Sequence, residues 1–153
     1  MTPQYIYINE LGSKYHYKDK EMEILHREDG PAIEYSDGDK SWFLNGKLHR
    51  EDGPAIERNY GDKTWFSNGG RHREDGPAVE ASDGSKSWWL NGELHREDGP
   101  AVEYADGDKE WWLNGEKLTE EEFKKKTSKE IVLTMDEIAV KFGIEVSKLK
   151  IAK

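Results

Sequence analysis

A chain of 153 residues has room for one domain or for a short repeat array with an appendage. Only 34% of its residues are hydrophobic against 36% charged, a balance that points toward disorder, yet six Trp, seven Tyr and four Phe exclude that reading because disordered chains are poor in aromatics. The lack of cysteine excludes disulfide and thiolate chemistry, the lack of a long apolar run excludes a membrane span and leads to the expectation of a soluble cytoplasmic protein, and the net charge of -9 excludes a general phosphate-binding surface.

In chain order, Tyr5-Ile6-Tyr7-Ile8 is rich in β-formers, Asn9-Glu10-Leu11-Gly12 has turn chemistry, and Tyr15-His16-Tyr17 is a second alternating run. Residues 1–25 therefore predict a hairpin out of register with the rest of the chain, a divergent first unit capping an array, with tyrosines where later units carry Trp. A charged loop is expected over Lys18 to Glu23.

From His26 onward one heptapeptide recurs without a changed letter: His26 to Ala32, His49 to Ala55, His72 to Ala78 and His95 to Ala101, always 23 residues apart. Self-similarity at a fixed period marks an array of one supersecondary unit. Asp-Gly and Asn-Gly pairs recur inside it, at Asp29-Gly30, Asp37-Gly38 and Asn45-Gly46 in the unit from His26 to Leu48. Such pairs favour positive φ at both central positions of a tight hairpin, and the segments between them are too short for helices. The prediction is a mainly β, antiparallel β-hairpin repeat array over 26–117. Strands are expected at Ala32 to Ser36 and Lys40 to Leu44, with a shorter extended piece over Leu48 to Arg50.

Alternation along the second strand sets Lys40, Trp42 and Leu44 on one face and Ser41, Phe43 and Asn45 on the other. Paired aromatics, Trp42-Phe43, Trp65-Phe66, Trp88-Trp89 and Trp111-Trp112, thus fall on both faces. They are expected to supply the core in a chain with little else to bury. After Gly115 the period ends. Thr119 with Glu122 forms a capping-box signature for a short helix ahead of Lys124 to Lys126, Ile131 to Leu133 predicts a strand, and Thr134 with Glu137 opens a helix that Gly143 stops after Phe142. Ile144 to Ile151 fits a strand or a broken helix, so 118–153 is expected to be a small C-terminal α/β cap of helix, strand and helix.

The unit Asp-Gly-x-Lys-x-Trp-x-x-Asn-Gly-x-x-His-Arg-Glu-Asp-Gly-Pro-Ala resembles the variant MORN-like repeats of bacterial and bacteriophage proteins. The run Leu113 to Phe123, the segment Leu133 to Gly143 and the Lys-rich terminus are similar to endings in that family. The resemblance implies an antiparallel hairpin array, a phage-encoded protein working in the host cytoplasm, and no established chemistry.

Candidate sites come from the repeat. His26, His49, His72 and His95 lie beside carboxylates, as metal ligands or general acids would, but all four have the same surroundings, whereas catalysis needs an asymmetric set. They are read as structural, together with Trp42, Trp65, Trp88 and Trp111; no catalytic residue, metal or cofactor is expected. Phe43, Phe66, Trp89 and Trp112 are the rings expected to face water and anchor a ligand, beside Arg27, Arg50, Arg73 and Arg96. Lys40, Lys63, Lys86 and Lys109 are expected to pair across strands with Glu34, Glu57, Glu80 and Glu103.

The functional expectation is a non-enzymatic scaffold for protein–protein interaction, a phage accessory protein that binds or inhibits a host defence component. Two alternatives stand beside it. One is an aromatic-groove module for glycans or cell-wall ligands. The other is nucleic-acid binding by a helix-turn-helix-like tail around Glu137 to Ala139, Phe142 to Ile144 and Leu149. Nucleic acid is otherwise an improbable partner for so acidic a chain, and self-association through an open sheet edge is open to it.

Overall fold

The computed structural model describes residues 5–128 together with Ala139, Val140 and Glu145. Each unit folds as two hairpins set end to end. In the first unit Ile33–Glu34 pairs with Lys40–Ser41, the chain bends at Trp42, and Phe43–Leu44 pairs with Lys47–Leu48. The next two units repeat this with Ile56–Glu57, Lys63–Thr64, Phe66–Ser67 and Gly70–Arg71, then Val79–Glu80, Lys86–Ser87, Trp89–Leu90 and Glu93–Leu94. In the fourth, Val102–Glu103 is followed by an unbroken strand, Lys109–Leu113, and by Glu116–Leu118. The first hairpins join edge to edge into one eleven-stranded antiparallel sheet that begins with Tyr5–Ile8 and Lys14–Tyr17 and ends with Glu116–Leu118. The second hairpins of the first three units remain separate two-stranded pieces. Backbone bonds lace them in sequence, Gly46 N–H to Leu25 C=O, Gly69 N–H to Leu48 C=O, Gly92 N–H to Arg71 C=O and Gly115 N–H to Leu94 C=O, at 2.8 to 3.0 Å.

The mainly β hairpin array is as expected, but the long strand from Lys40 to Leu44 is not. Trp42 donates its N–H to Ala55 C=O at 2.8 Å and accepts from His49 N–H at 3.1 Å, so its peptide groups serve the following unit and the strand breaks there. Strict alternation of faces therefore does not carry across Trp42. In the fourth unit no Ala carbonyl among the described residues takes the Trp111 N–H, and the strand runs through.

The Asn-Gly turns have the expected geometry: Asn45, Asn68, Asn91 and Asn114 lie at φ 49 to 53° and the glycines after them are also left-handed. The Asp-Gly pairs do not. At Asp37-Gly38 only the glycine has positive φ, 99°, while the Asp37 carboxylate accepts from Asp39 N–H at 3.1 Å and closes the turn from outside. Gly30 has no positive φ at all, and its role is steric, set by the Arg27 side chain packed against it.

The rings do not form the core. Ala32, Ala55, Ala78 and Ala101 are fully buried in a column, joined by buried Ile33 and Val102 and half-buried Ile56 and Val79. All eight rings of the Trp42-Phe43 type are half-buried instead.

The N-terminal hairpin enters the sheet with Lys14 opposite Glu34 and Tyr15 opposite Ile33, as Lys40 stands opposite Glu57 and Ser41 opposite Ile56. That register puts His16, not a tyrosine, at the tryptophan position: its N–H donates to Ala32 C=O and its C=O accepts from His26 N–H. The extra residues form the loop at Lys18 to Glu23, where the Asp19 carboxylate accepts from Glu23 N–H at 3.0 Å and Ile24 N–H at 2.9 Å. At the other end Glu120–Thr127 is a helix with its capping box in place, Glu122 N–H to Thr119 Oγ1 at 3.2 Å and Thr119 N–H to Glu122 Oε2 at 2.8 Å. Its buried Phe123 packs against Trp111 with ring centroids 4.8 Å apart and the planes tilted by 45°. The expected strand Ile131 to Leu133, most of the helix to Phe142 and, apart from Glu145, the segment Ile144 to Ile151 lie outside the described residues; Ala139 and Val140 are helical.

Candidate binding grooves

The repeated heptapeptide is built around its arginine. Arg50 donates from Nε to Asp52 Oδ1 at 2.8 Å and from Nη1 to Pro54 C=O at 3.2 Å and Glu57 Oε1 at 2.9 Å. Its guanidinium lies 4.1 Å from the centre of the Trp42 ring of the preceding unit. Arg73 lies likewise over Trp65 at 4.1 Å and Arg96 over Trp88 at 3.9 Å. A cation over an indole contributes about 0.5 to 2 kcal/mol depending on its desolvation, so each arginine clamps its own turn and binds the unit before it. Glycine gives the guanidinium its room, since a Cβ at Gly53 would stand 3.0 Å from the Arg50 guanidinium carbon, and one at Gly30 2.9 Å from that of Arg27. The hydrogen bond from Arg50 holds the Asp52 carboxyl below the usual carboxylate range, as Arg73 does for Asp75 and Arg96 for Asp98.

The histidines are bracing groups. His26 Nδ1 accepts from Asn45 N–H at 3.0 Å, and His49, His72 and His95 do the same for Asn68, Asn91 and Asn114 at 3.1 to 3.2 Å. That assigns the proton to Nε2, which faces Glu28, Glu51, Glu74 and Glu97 at 3.5 to 3.8 Å. Among the described residues no group of three or more His, Asp and Glu side chains is placed to hold a metal ion.

The pairing of lysine with glutamate is corrected by the structure. Lys40 stands opposite Glu34 and Glu57 in the register, Lys63 and Lys86 likewise stand between two glutamates, and Lys109 stands opposite Glu103, but among the described residues none of these lysines makes an ion pair. The glutamates are taken instead by Arg27, Arg50, Arg73 and Arg96 at 2.9 to 3.0 Å, because a guanidinium reaching from the turn offers several donors at fixed angles where an ammonium offers a point charge.

The rings at Phe43, Phe66, Trp89 and Trp112, expected to face water, are half-buried like their partners. Arg71 sits between Phe66 and Trp89, 5.9 and 5.0 Å from their centres, and Lys117 lies 5.5 Å from Trp112. Trp89 Nε1 donates to Ser87 Oγ at 2.7 Å and Trp112 Nε1 to Glu110 Oε2 at 2.9 Å. These rings lie in the second hairpins, and Phe66 also lines open space between two heptapeptide turns.

Open space lies between successive heptapeptide turns. A groove of 760 Å³ has the turns Arg27 to Gly30 and Arg50 to Asp52 as walls and Trp42 and Leu44 as floor. A second, of 590 Å³, lies between the turns of the next two units beside Trp65 and Phe66, and a third, of 810 Å³, between those of the last two over Trp88 and Leu90. Each wall carries a Glu and an Asp; the glutamates Glu28, Glu51, Glu74 and Glu97 are 73 to 92% exposed. Two carboxylates and a backbone carbonyl hold each guanidinium, and with the exposed glutamates beside them every groove is acidic at its rim and apolar at its base. The sequence singled out the arginines and missed the grooves, whose only signal is the fixed step of eight residues from each Trp to the Arg that covers it.

No protein-family model matches the chain, and no curated protein matches it. No helix among the described residues is long and apolar enough to cross a membrane.

Proposed function

We propose that the chain is a non-enzymatic binding module whose row of acidic, indole-floored grooves receives a basic segment of another protein. The observation that supports this most is repetition: three grooves of one chemistry stand in line, each with exposed glutamates and none with a group set apart from its copies. A row of equal sites serves an extended partner better than it serves turnover of a small molecule. Read with the resemblance to MORN-like phage proteins, the partner is a host component, a defence factor among the candidates. The test is affinity capture from bacterial lysate with the wild-type chain and a variant carrying Glu28→Lys, Glu51→Lys, Glu74→Lys and Glu97→Lys. A partner held by the first and released by the second supports the reading; one retained equally by both, or catalytic turnover by the wild type, overturns it.

The glycan alternative has less support, since seven of the eight paired rings have a cation or another ring near a face. Self-association has an observation in its favour. The Tyr5–Ile8 strand is last in the sheet, with Ile6 53% and Ile8 57% exposed. Light scattering on wild type and an Ile6→Lys, Ile8→Lys variant reads this directly: a dimer lost in the variant supports edge pairing, and a monomeric wild type ends it.

A further inference from the structure

The spacing of the grooves restricts the shape of what fills them. Each of the first three units places two strands in the eleven-stranded sheet before the next unit begins, so equivalent points on neighbouring units are separated by about 9.6 Å, twice the roughly 4.8 Å between strands. Exposed glutamates repeat at that interval along the rim, with Trp42, Trp65 and Trp88 repeating beneath them. We propose that the grooves bind a polyproline II segment with a cation at every third residue. This inference rests on the basic-partner reading above and specifies its ligand.

The comparison of periods selects this conformation. Polyproline II has three residues per turn and rises about 3.1 Å per residue, so every third side chain returns to one face after about 9.3 Å. Over three intervals its mismatch with the array is only about 1 Å. A β-strand brings side chains to one face every ~6.8 Å or ~13.6 Å, and misses at the first step by about 3 to 4 Å. An α-helix with cations at heptad spacing returns after about 10.5 Å and drifts by roughly 3 Å over the same length. The two residues between cations, best if proline or apolar, lie toward the groove bases, with Trp42 and Leu44 in the first, Trp65 and Phe66 in the second and Trp88 and Leu90 in the third, while the cations meet Glu28, Glu51, Glu74 and Glu97.

The test uses the full chain and a fluorescently labelled peptide of four Pro-Pro-Arg triplets. Two peptides serve as comparisons: one of identical composition with the arginines at alternate positions, and a basic helix with heptad-spaced arginines. Anisotropy titrations at low and physiological salt are expected to show the triplet peptide binding at least about tenfold tighter than either. Most of that preference is expected to vanish in the variant with Glu28→Gln, Glu51→Gln, Glu74→Gln and Glu97→Gln, whose circular dichroism should match wild type. Equal affinity for the two proline peptides, tighter binding of the helix, or a preference that survives in the variant overturns the spacing proposal and leaves the basic-partner reading standing. Failure of all three peptides to bind overturns both.

Discussion

At the scale of the residue, each letter of the heptapeptide has a separate physical duty, and the arginine and glycine share one. Gly53 has no left-handed φ, so by backbone entropy alone Gly53→Ala should stabilise the chain by a few tenths to about 1 kcal/mol. With a Cβ only 3.0 Å from the Arg50 guanidinium carbon, we expect the opposite sign, a loss of about 1 kcal/mol in urea unfolding. Arg50→Ala should cost about 2 kcal/mol through its charge-assisted bonds and its indole contact. In the double variant the Gly53→Ala penalty should disappear, a coupling that a double-mutant cycle measures; additive effects would contradict the steric account. His16 carries a pH dependence. Burial first, and then the Arg27 guanidinium 3.2 Å from its Nε2, hold the imidazole below its usual range, against a weaker upward pull from Glu34 and Asp29. Because the folded value is the lowered one, the His16 contribution is intact above the unfolded value of 6.5 and is lost as pH falls through the folded value. Urea midpoints of wild type should therefore drop more than those of His16→Gln between neutral pH and about pH 5, and parallel curves would refute the assignment.

At the scale of the element, the array is closed at each end by a substitution in its stacking column. Arg50, Arg73 and Arg96 cover Trp42, Trp65 and Trp88, and Phe123 covers Trp111. Leu118 and Thr119 stand where a fifth His-Arg would fall, and the helix Glu120–Thr127 begins in its place. An apolar ring terminates what a cation propagates: it buries the last indole without leaving a guanidinium that needs three further acceptors. Phe123→Ala should remove about 2 to 4 kcal/mol of local stability. Hydrogen exchange should show that loss concentrated in Lys109–Leu113 and Glu116–Leu118, with the first two units little changed; uniform loss across all units would mean the helix is no local cap.

At the scale of the whole molecule, stability is divided among contacts between neighbours, as in other linear arrays. Hydrogen bonds of one kind recur along the sheet margin: Ser13 Oγ accepts from Ser36 N–H, Asp39 Oδ1 from Asn59 N–H, Asp62 Oδ1 from Ser82 N–H and Ser85 Oγ from Ala105 N–H, at 2.7 to 3.0 Å. Asp39 also holds Arg58 at 2.7 Å, a contact that among the described residues only this junction has, and both bonds keep its carboxyl below the ordinary range. Deleting residues 49–71 brings Arg73 over Trp42 and Ser82 N–H to Asp39. The shortened chain should fold with the same circular dichroism, a smaller urea m-value in proportion to its lost surface, and a lower midpoint. A deletion that leaves an unfolded chain would show that the array folds only as a complete set.

Much of the fold was legible because its signals are local. Asn45 and Gly46 need nothing beyond their own φ preferences to turn, and Thr119 with Glu122 caps a helix from within three residues. The 23-residue period fixed the count of units and the equivalence of their sites. What the chain alone left open was how one unit meets the next. The break at Trp42, the guanidinium on the preceding indole, the alanine column in place of an aromatic core, and the glutamates claimed by arginine instead of lysine all arise from contacts between units. Composition and periodicity record which residues recur; only the stacked backbone sets the separation between copies, and that separation decides which groups touch and where the grooves lie.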